Sequence, residues 1–217
     1  MSNMLNLLIT NTWQTIYMVG ASAAIATALG LPLGILLFVT DKGQILENVF
    51  FNKVLGLIVN FFRSVPFVIL LIILIPFTRF IVGVSYGTTA AIVPLSVAAI
   101  PFMGRLVETS LREINRGIIE AAQAMGASPL QIIIKVLIPE ALPSIASGVT
   151  ITTINLVGYS AMAGVMGGGG LGDVAVRYGY QRFMLDVMFY TVAILVIMVQ
   201  LAQMLGDLVV RHLSRNR

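Results

Sequence analysis

An all-α membrane protein is the fold class this sequence predicts, and three observations carry that prediction. The chain is 58% hydrophobic and only 10% charged, against about 25% charged in a water-soluble domain. Its mean hydropathy is +0.98 over 217 residues. Five apolar runs reach the roughly 20 residues a helix needs to cross a bilayer. So little charge cannot coat a soluble surface, so lipid must cover much of the chain.

The first run, 12–39, has Gly30, Pro32 and Gly34 near its end. Ala21-Ser22-Ala23 looks like a cleavage site, but no basic segment precedes it. The apolar run also continues to Val39, so an uncleaved first span is expected. The second run, 54–77, is interrupted by Arg63 and Pro66. The third, 84–103, contains Pro94 and Pro101. A more polar loop, 104–141, follows. The fourth run, 142–165, is rich in Ser and Thr, and the fifth is 183–210. No long linker, low-complexity tract or repeat divides them. One membrane domain over residues 1–217 is expected.

Charge sets the expected orientation. Lys42, Lys53, Arg105, Arg112, Arg116, Lys135, Arg211, Arg215 and Arg217 fall on one side, and only Arg79, Arg177 and Arg182 on the other. The richer side is read as cytoplasmic. The N-terminus is then outside and the C-terminus inside, which suits an odd number of spans. Net charge is +4, yet the basic residues do not gather into an aromatic-laced patch, so nucleic acid is rejected as a partner. Zero cysteines exclude disulfides, thiolate metal sites and a cysteine nucleophile.

The loop holds two short helices. Asn115 can cap the first, which places Ile118, Ala122 and Met125 on one face. Ala121, Ala122 and Ala124 are small enough for a partner to approach closely. Gly126 suits the left-handed position that ends a helix. Ser128-Pro129-Leu130-Gln131 then reads as a new start, with Ser128 as cap, Pro129 in the first turn and Gln131 closing a capping box. Pro139 and Pro143 mark the return to the membrane. A helix lying on lipid would want many Lys and Arg on its polar face, but 115–130 offers only Arg116. Docking against protein is the better reading.

These residues also resemble a known family. Glu120-Ala121-Ala122, three residues, Gly126, nine residues and then Val136-Leu137-Ile138-Pro139 match both spacings of the EAA loop of bacterial ABC importer permeases. Val136 and Ile138 stand where Ile and Leu are more usual. Asn60-Phe61-Phe62-Arg63-Ser64-Val65-Pro66-Phe67 resembles the span-two signature of the amino-acid branch. Val157-Gly158-Tyr159-Ser160-Ala161-Met162, the glycine loop after it and the five-span layout look like the methionine-importer permeases. The likeness runs from about Trp13 to Val210.

The resemblance implies a type I ABC importer embedded in the bacterial inner membrane. Two copies of the chain would form the pathway. Two ATPase subunits, holding the ATP and Mg, would dock at Ile118, Glu120, Ala121, Ala122, Met125, Gly126, Ala127 and Ser128. A substrate-binding lipoprotein would deliver ligand outside. Methionine is the implied cargo, with another small amino acid or a compatible solute as the alternative. The chain has no G-x-x-x-x-G-K-[ST] phosphate loop of its own, so no enzymatic activity is expected.

Four residues are candidates for the pathway itself: Arg63, Asn155, Tyr159 and Met162. Arg63 lies about 13 Å into the second run at 1.5 Å per residue, where an arginine costs at least about 2.5 kcal/mol on insertion scales. It either faces protein or water, or it snorkels from a late-starting helix. Ser144, Gly148, Thr152, Asn155, Tyr159 and Met162 recur at helical steps along the fourth run. This polar stripe either lines a route for a zwitterion, with Met162 as a soft gate, or fills a helix interface. Gly164, Gly167 to Gly170 and Gly172 follow a membrane span rather than a strand, so a phosphate cradle is excluded and a flexible or re-entrant outer loop is expected. His212, the only histidine, sits in a basic tail. No cluster supports a metal site or an acid–base pair. A secondary transporter would want central carboxylates, and an intramembrane enzyme a buried catalytic pair; neither is evident. A passive scaffold fits the polar stripe poorly.

Overall fold

The computed structural model describes residues 2–215; Met1, Asn216 and Arg217 lie outside it, and with Arg217 one of the basic residues counted for orientation. Every regular element among the described residues is helical. Four helices are long and apolar enough to cross a membrane, and a bent pair raises the number to five.

Helix α1 spans Ser2–Val39 without a break at Pro32. Its 38 residues reach about 57 Å, so it outruns the roughly 30 Å hydrocarbon core and begins well before the expected residue 12. Its partner is α5, Thr88–Arg112, which runs through Pro94 and Pro101. The two helices approach closely because Gly30 and Gly34 are four apart on one face. A Cβ on Gly34 would sit 2.5 Å from both the Gly104 carbonyl and Val107 Cβ. Small residues at this spacing allow close contact where no hydrophobic force separates helix from lipid.

The second expected span is not one rod. Helix α2, Val49–Ser64, starts on an Asn48 cap and ends at Ser64. After Val65 and Pro66 the chain turns by 103° into α3, Phe67–Ile73, and then α4, Ile75–Val82. Pro66 forces the preceding residue out of the helical region, and Val65 is extended at φ −79°, ψ 124°. Glycines 83 and 87, at φ +83° and +95°, turn the chain into α5. That helix starts later than residue 84 and continues to Arg112, so the polar loop proper is shorter than 104–141.

Helices α6, Arg116–Ala124, and α7, Pro129–Ile132, form the loop. A wide π turn at Ile133–Leu137 feeds α8, Ile138–Ala163. Pro139 explains that turn: it has no N–H to return to the carbonyl four residues back, and its ring crowds that carbonyl. Residues 138–141 are thus the first turn of α8 rather than loop. After α8 the chain kinks at Met166 and Gly167 and continues as the short α9, Gly170–Val174. A second wide turn, Ala175–Tyr180, leads to α10, Leu185–Arg215.

Three buried clusters stack along the bundle. One gathers Phe38, Met103, Val107, Leu111, Ile119, Ala122, Ile132 and Leu137, and so unites α1, α5 and the loop helices. A central one joins Met18, Ala26, Leu95, Phe67 and Leu156. The third holds Leu8, Val174 and Val187. Outside them, Phe50, Leu57, Phe61, Phe80, Phe189, Ile197, Met204 and Leu208 are all exposed. Such a coat suits lipid, since a monomeric soluble protein rarely exposes so large an apolar surface.

Candidate functional site

The loop helices are fixed by local hydrogen bonds of the kind the sequence implies. Asn115 Oδ1 accepts from the Gly117 amide at 2.9 Å. Gly126 sits at φ +77°, its N–H donates to Gln123 O at 2.9 Å, and Ala127 N–H donates to Ala122 O at 3.1 Å. These two bonds complete a Schellman motif. Ser128 Oγ accepts from the Gln131 amide at 3.4 Å, and Gln131 Oε1 accepts from the Ser128 amide at 2.9 Å. A helix end and a helix start are thereby locked back to back.

Burial divides the sequence-selected loop residues. Ile119 and Ala122 pack into the chain's own core, at 6% and 4% exposure. Ala122 is therefore not on the outward face with Ile118 and Met125; helix α6 rolls so that its alanine faces in. The outward face is Ile118, Ala121 and Met125, with Met125 81% exposed. Glu120 is exposed and pairs with Arg116 at 3.2 Å. Gly126 and Ser128 are exposed, and Ala127 is half-buried beneath them. Leu130 and Ile134, also exposed, extend the same apolar surface.

The polar stripe on α8 splits in two. Gly148 and Thr152 are buried, and Thr152 Oγ1 donates to the Gly148 carbonyl at 2.8 Å. This half is helix packing. Asn155 and Met162 are exposed, and Tyr159 is half-buried. The Tyr159 ring stacks on Phe67 with centroids 4.6 Å apart and planes 5° apart, which brings the polar end of α8 against the first residue of α3. Arg63 stands in the last turn of α2, exposed, where a cation meets free carbonyl ends. It is not in mid-helix, and among the described residues no hydrogen bond joins it to Asn155 or Tyr159.

The glycine run is packed, not slack. A Cβ on Gly164 would lie 2.6 Å from the Asp173 amide, and one on Gly172 would overlap the Ala161 backbone. Gln14 Oε1 and Thr15 Oγ1, both on α1, accept from the Gly170 and Leu171 amides at 2.9 Å each. The segment after α8 thus folds back and is tied to α1.

One constellation was not selected from the sequence. Glu108, 5% exposed, lies between Arg105 at 2.6 Å and Arg112 at 2.8 Å. Arg112 also reaches Asp41 at 2.6 Å. Of Glu108 and its two arginines only the carboxylate is buried; the two guanidinium groups reach it from the rim, with side chains 25% and 49% exposed. Burial pushes the Asp41 carboxyl up, but hydrogen bonds from the Lys42 amide and Arg112, with the Arg112 charge, more than offset this. Its pKa therefore falls below the ordinary 3.8, and the pair is lost only as pH drops through that lowered value. The signal was present as Arg105-x-x-Glu108-x-x-x-Arg112, an i−3, i+4 arrangement on one helix face.

Comparison with known proteins agrees with this architecture. The family described as "Binding-protein-dependent transport system inner membrane component" matches residues 30–217. The chain is 56% identical over 211 residues to the probable D-methionine transport system permease protein MetI of Vibrio cholerae, covering 97% of this chain and 94% of that protein. It is 45% identical over 205 residues to the methionine import system permease protein MetP of Bacillus subtilis, covering 94% and 92%. A chain from a structure of inward-facing conformations of the MetNI methionine ABC transporter superposes with a TM-score of 0.97 at 50% identity, covering 98% of this chain and 99% of that one. A chain from an amino acid ABC transporter with histidines gives 0.79 at 18% identity, with 98% and 96% covered, a likeness of fold alone. With its capped loop, all-helical membrane bundle and near full-length matches, the chain belongs to the binding-protein-dependent transport system inner membrane component family, in the branch of the methionine permeases.

Proposed function

We propose that this chain is the membrane permease subunit of an ATP-driven importer that moves methionine into the cytoplasm by alternating access. The carrying observation is the locked turn from α6 to α7, which presents Ile118, Ala121 and Met125 outward, in a chain whose relatives are methionine permeases. Two copies enclose the pathway in the bacterial inner membrane, with the N-terminus outside and the C-terminus inside. ATPase subunits dock at the loop and hold ATP and Mg; the chain itself is not an enzyme. A substrate-binding lipoprotein supplies methionine from outside. Closure of the ATPase pair draws the two loops together and turns the pathway outward. Asn155, Tyr159, Met162 and Arg63 line the route.

Purified chain co-expressed with its ATPase and reconstituted in vesicles with the binding protein tests this. ATP-dependent methionine uptake is expected, with phosphate release only when the ATPase is bound. Uptake without ATP, or a preference for a different solute class, overturns the reading.

A further inference from the structure

The buried carboxylate of α5 lies just ahead of the docking helix. Glu108 Oε2 accepts from Arg105 Nη1 at 2.6 Å, and Oε1 accepts from Arg112 Nη2 at 2.8 Å. Neither arginine stops there. Arg105 Nη2 donates to Asn60 Oδ1 on α2 at 3.0 Å. Arg112 Nη2 donates to Asp41 Oδ2 at 2.6 Å, in the turn between α1 and α2. Docking helix α6 reaches the same turn, since Arg116 Nη2 donates to the Gly43 carbonyl at 3.4 Å. Asn52 of α2 closes the turn from the other side, its Nδ2 donating to Leu37 O at 2.6 Å and to Thr40 Oγ1 at 3.1 Å. A continuous polar chain therefore runs from α6, through the turn and α5, to α2.

Stability alone does not call for this arrangement. A buried ion pair is often matched or bettered by apolar residues of similar size, and Val107 and Leu111 fill neighbouring positions of α5 at 0% exposure. What charge-assisted bonds to two guanidinium groups add is fixed distance and direction. The far end of the chain is also informative. Asn60 lies one turn before Arg63, and α2 breaks by 103° after Ser64.

We propose that Glu108 is a positioning residue for transport, holding Arg105 and Arg112 so that movement of docking helix α6 reaches α2 and its break; this rests on the docking role proposed above. Glu108 touches no substrate. It acts through the two arginines, as a strut acts through its joints.

The full transporter, with ATPase and binding protein, tests the assignment in vesicles. Methionine uptake, phosphate release and the melting temperature are measured together. Glu108→Gln keeps the side chain's size and removes its charge. Asn60→Leu removes, at an exposed site, the shorter of the two bonds from Arg105 to α2, the other being to the Gly56 carbonyl at 3.4 Å, so it remains informative if the first variant does not assemble. Both should leave phosphate release near wild type while ATP consumed per methionine rises about fivefold, the lower end of coupling between two sites. Asn60→Asp keeps an acceptor for Arg105 and should restore the ratio. An unchanged ratio in Asn60→Leu, or uptake and hydrolysis falling together with the melting temperature, overturns the proposal. Wild-type uptake in the same vesicles tests the function reading separately, so the two cannot be confused.

Discussion

Gly126 separates backbone conformation from packing at a single residue. Its φ is +77°, and a Cβ there would meet nothing within 4 Å. The cost of Gly126→Val is therefore conformational, about 1–2 kcal/mol for a left-handed β-carbon. That variant should recruit less ATPase while its membrane helices still fold, as co-purification and circular dichroism would report. Undiminished recruitment would remove the docking role from this turn. Gly126 was legible in the sequence, as were Asn115, Ser128 and Gln131, because caps satisfy donors and acceptors within a few residues. The arms of Glu108 were not. Arg112 meets Asp41 across 71 residues and Arg105 meets Asn60 across 45, and no local pattern announces such partners.

Helix α8 carries two kinds of polar residue on what the sequence reads as one stripe. Periodicity alone places Thr152 and Asn155 near the same face; the neighbours decide which is buried. Leu106 of α5 lies against Gly148, and Met103 Sδ is 3.5 Å from Thr152 Oγ1, so that end is closed. Thr152→Val should shift stability by only about 0.6 kcal/mol and leave uptake unchanged. Asn155→Leu should slow uptake about fivefold, equivalent to roughly 1 kcal/mol for a lost hydrogen-bonding partner, without moving the melting temperature. A lower melting temperature with normal uptake would instead return Asn155 to a packing role. The same reasoning explains the second span. Its apolar length and Pro66 were readable, but the direction of the turn depends on Phe67 meeting Tyr159 on a distant helix.

For the molecule as a whole, orientation is the most direct test. The native chain has no cysteine, so single cysteines give clean labels. Ser128→Cys should react with a membrane-impermeant thiol reagent only from the cytoplasmic side. Tyr86→Cys, 74% exposed in the native side chain and placed in the turn before α5, should react only from outside. The reverse pattern would invert the topology. Composition and run length were enough to identify the class, because a bilayer imposes its thickness on every span. They could not show α1 running out to about 57 Å, because the residues before Thr12 are not apolar throughout.

Lipid has nothing to offer the broken backbone at Ser64–Pro66. The first amides of α3 have no helical acceptor, and Pro66 has no N–H to give. Each such group left bare in hydrocarbon costs several kcal/mol. Helix α2 is 16 residues long, which sets the break about 24 Å along it, within the thickness of the hydrocarbon layer. A polar partner at the break, water or protein, would satisfy those amides. Deuterium exchange in vesicles should find the amides of Phe67 to Ile69 open to solvent while those of Leu95 to Ala99, inside α5, stay protected. The permease would then hold a hydrated notch inside its own membrane wall, and slow exchange at residues 67–69 would show that a neighbouring subunit, rather than water, fills it.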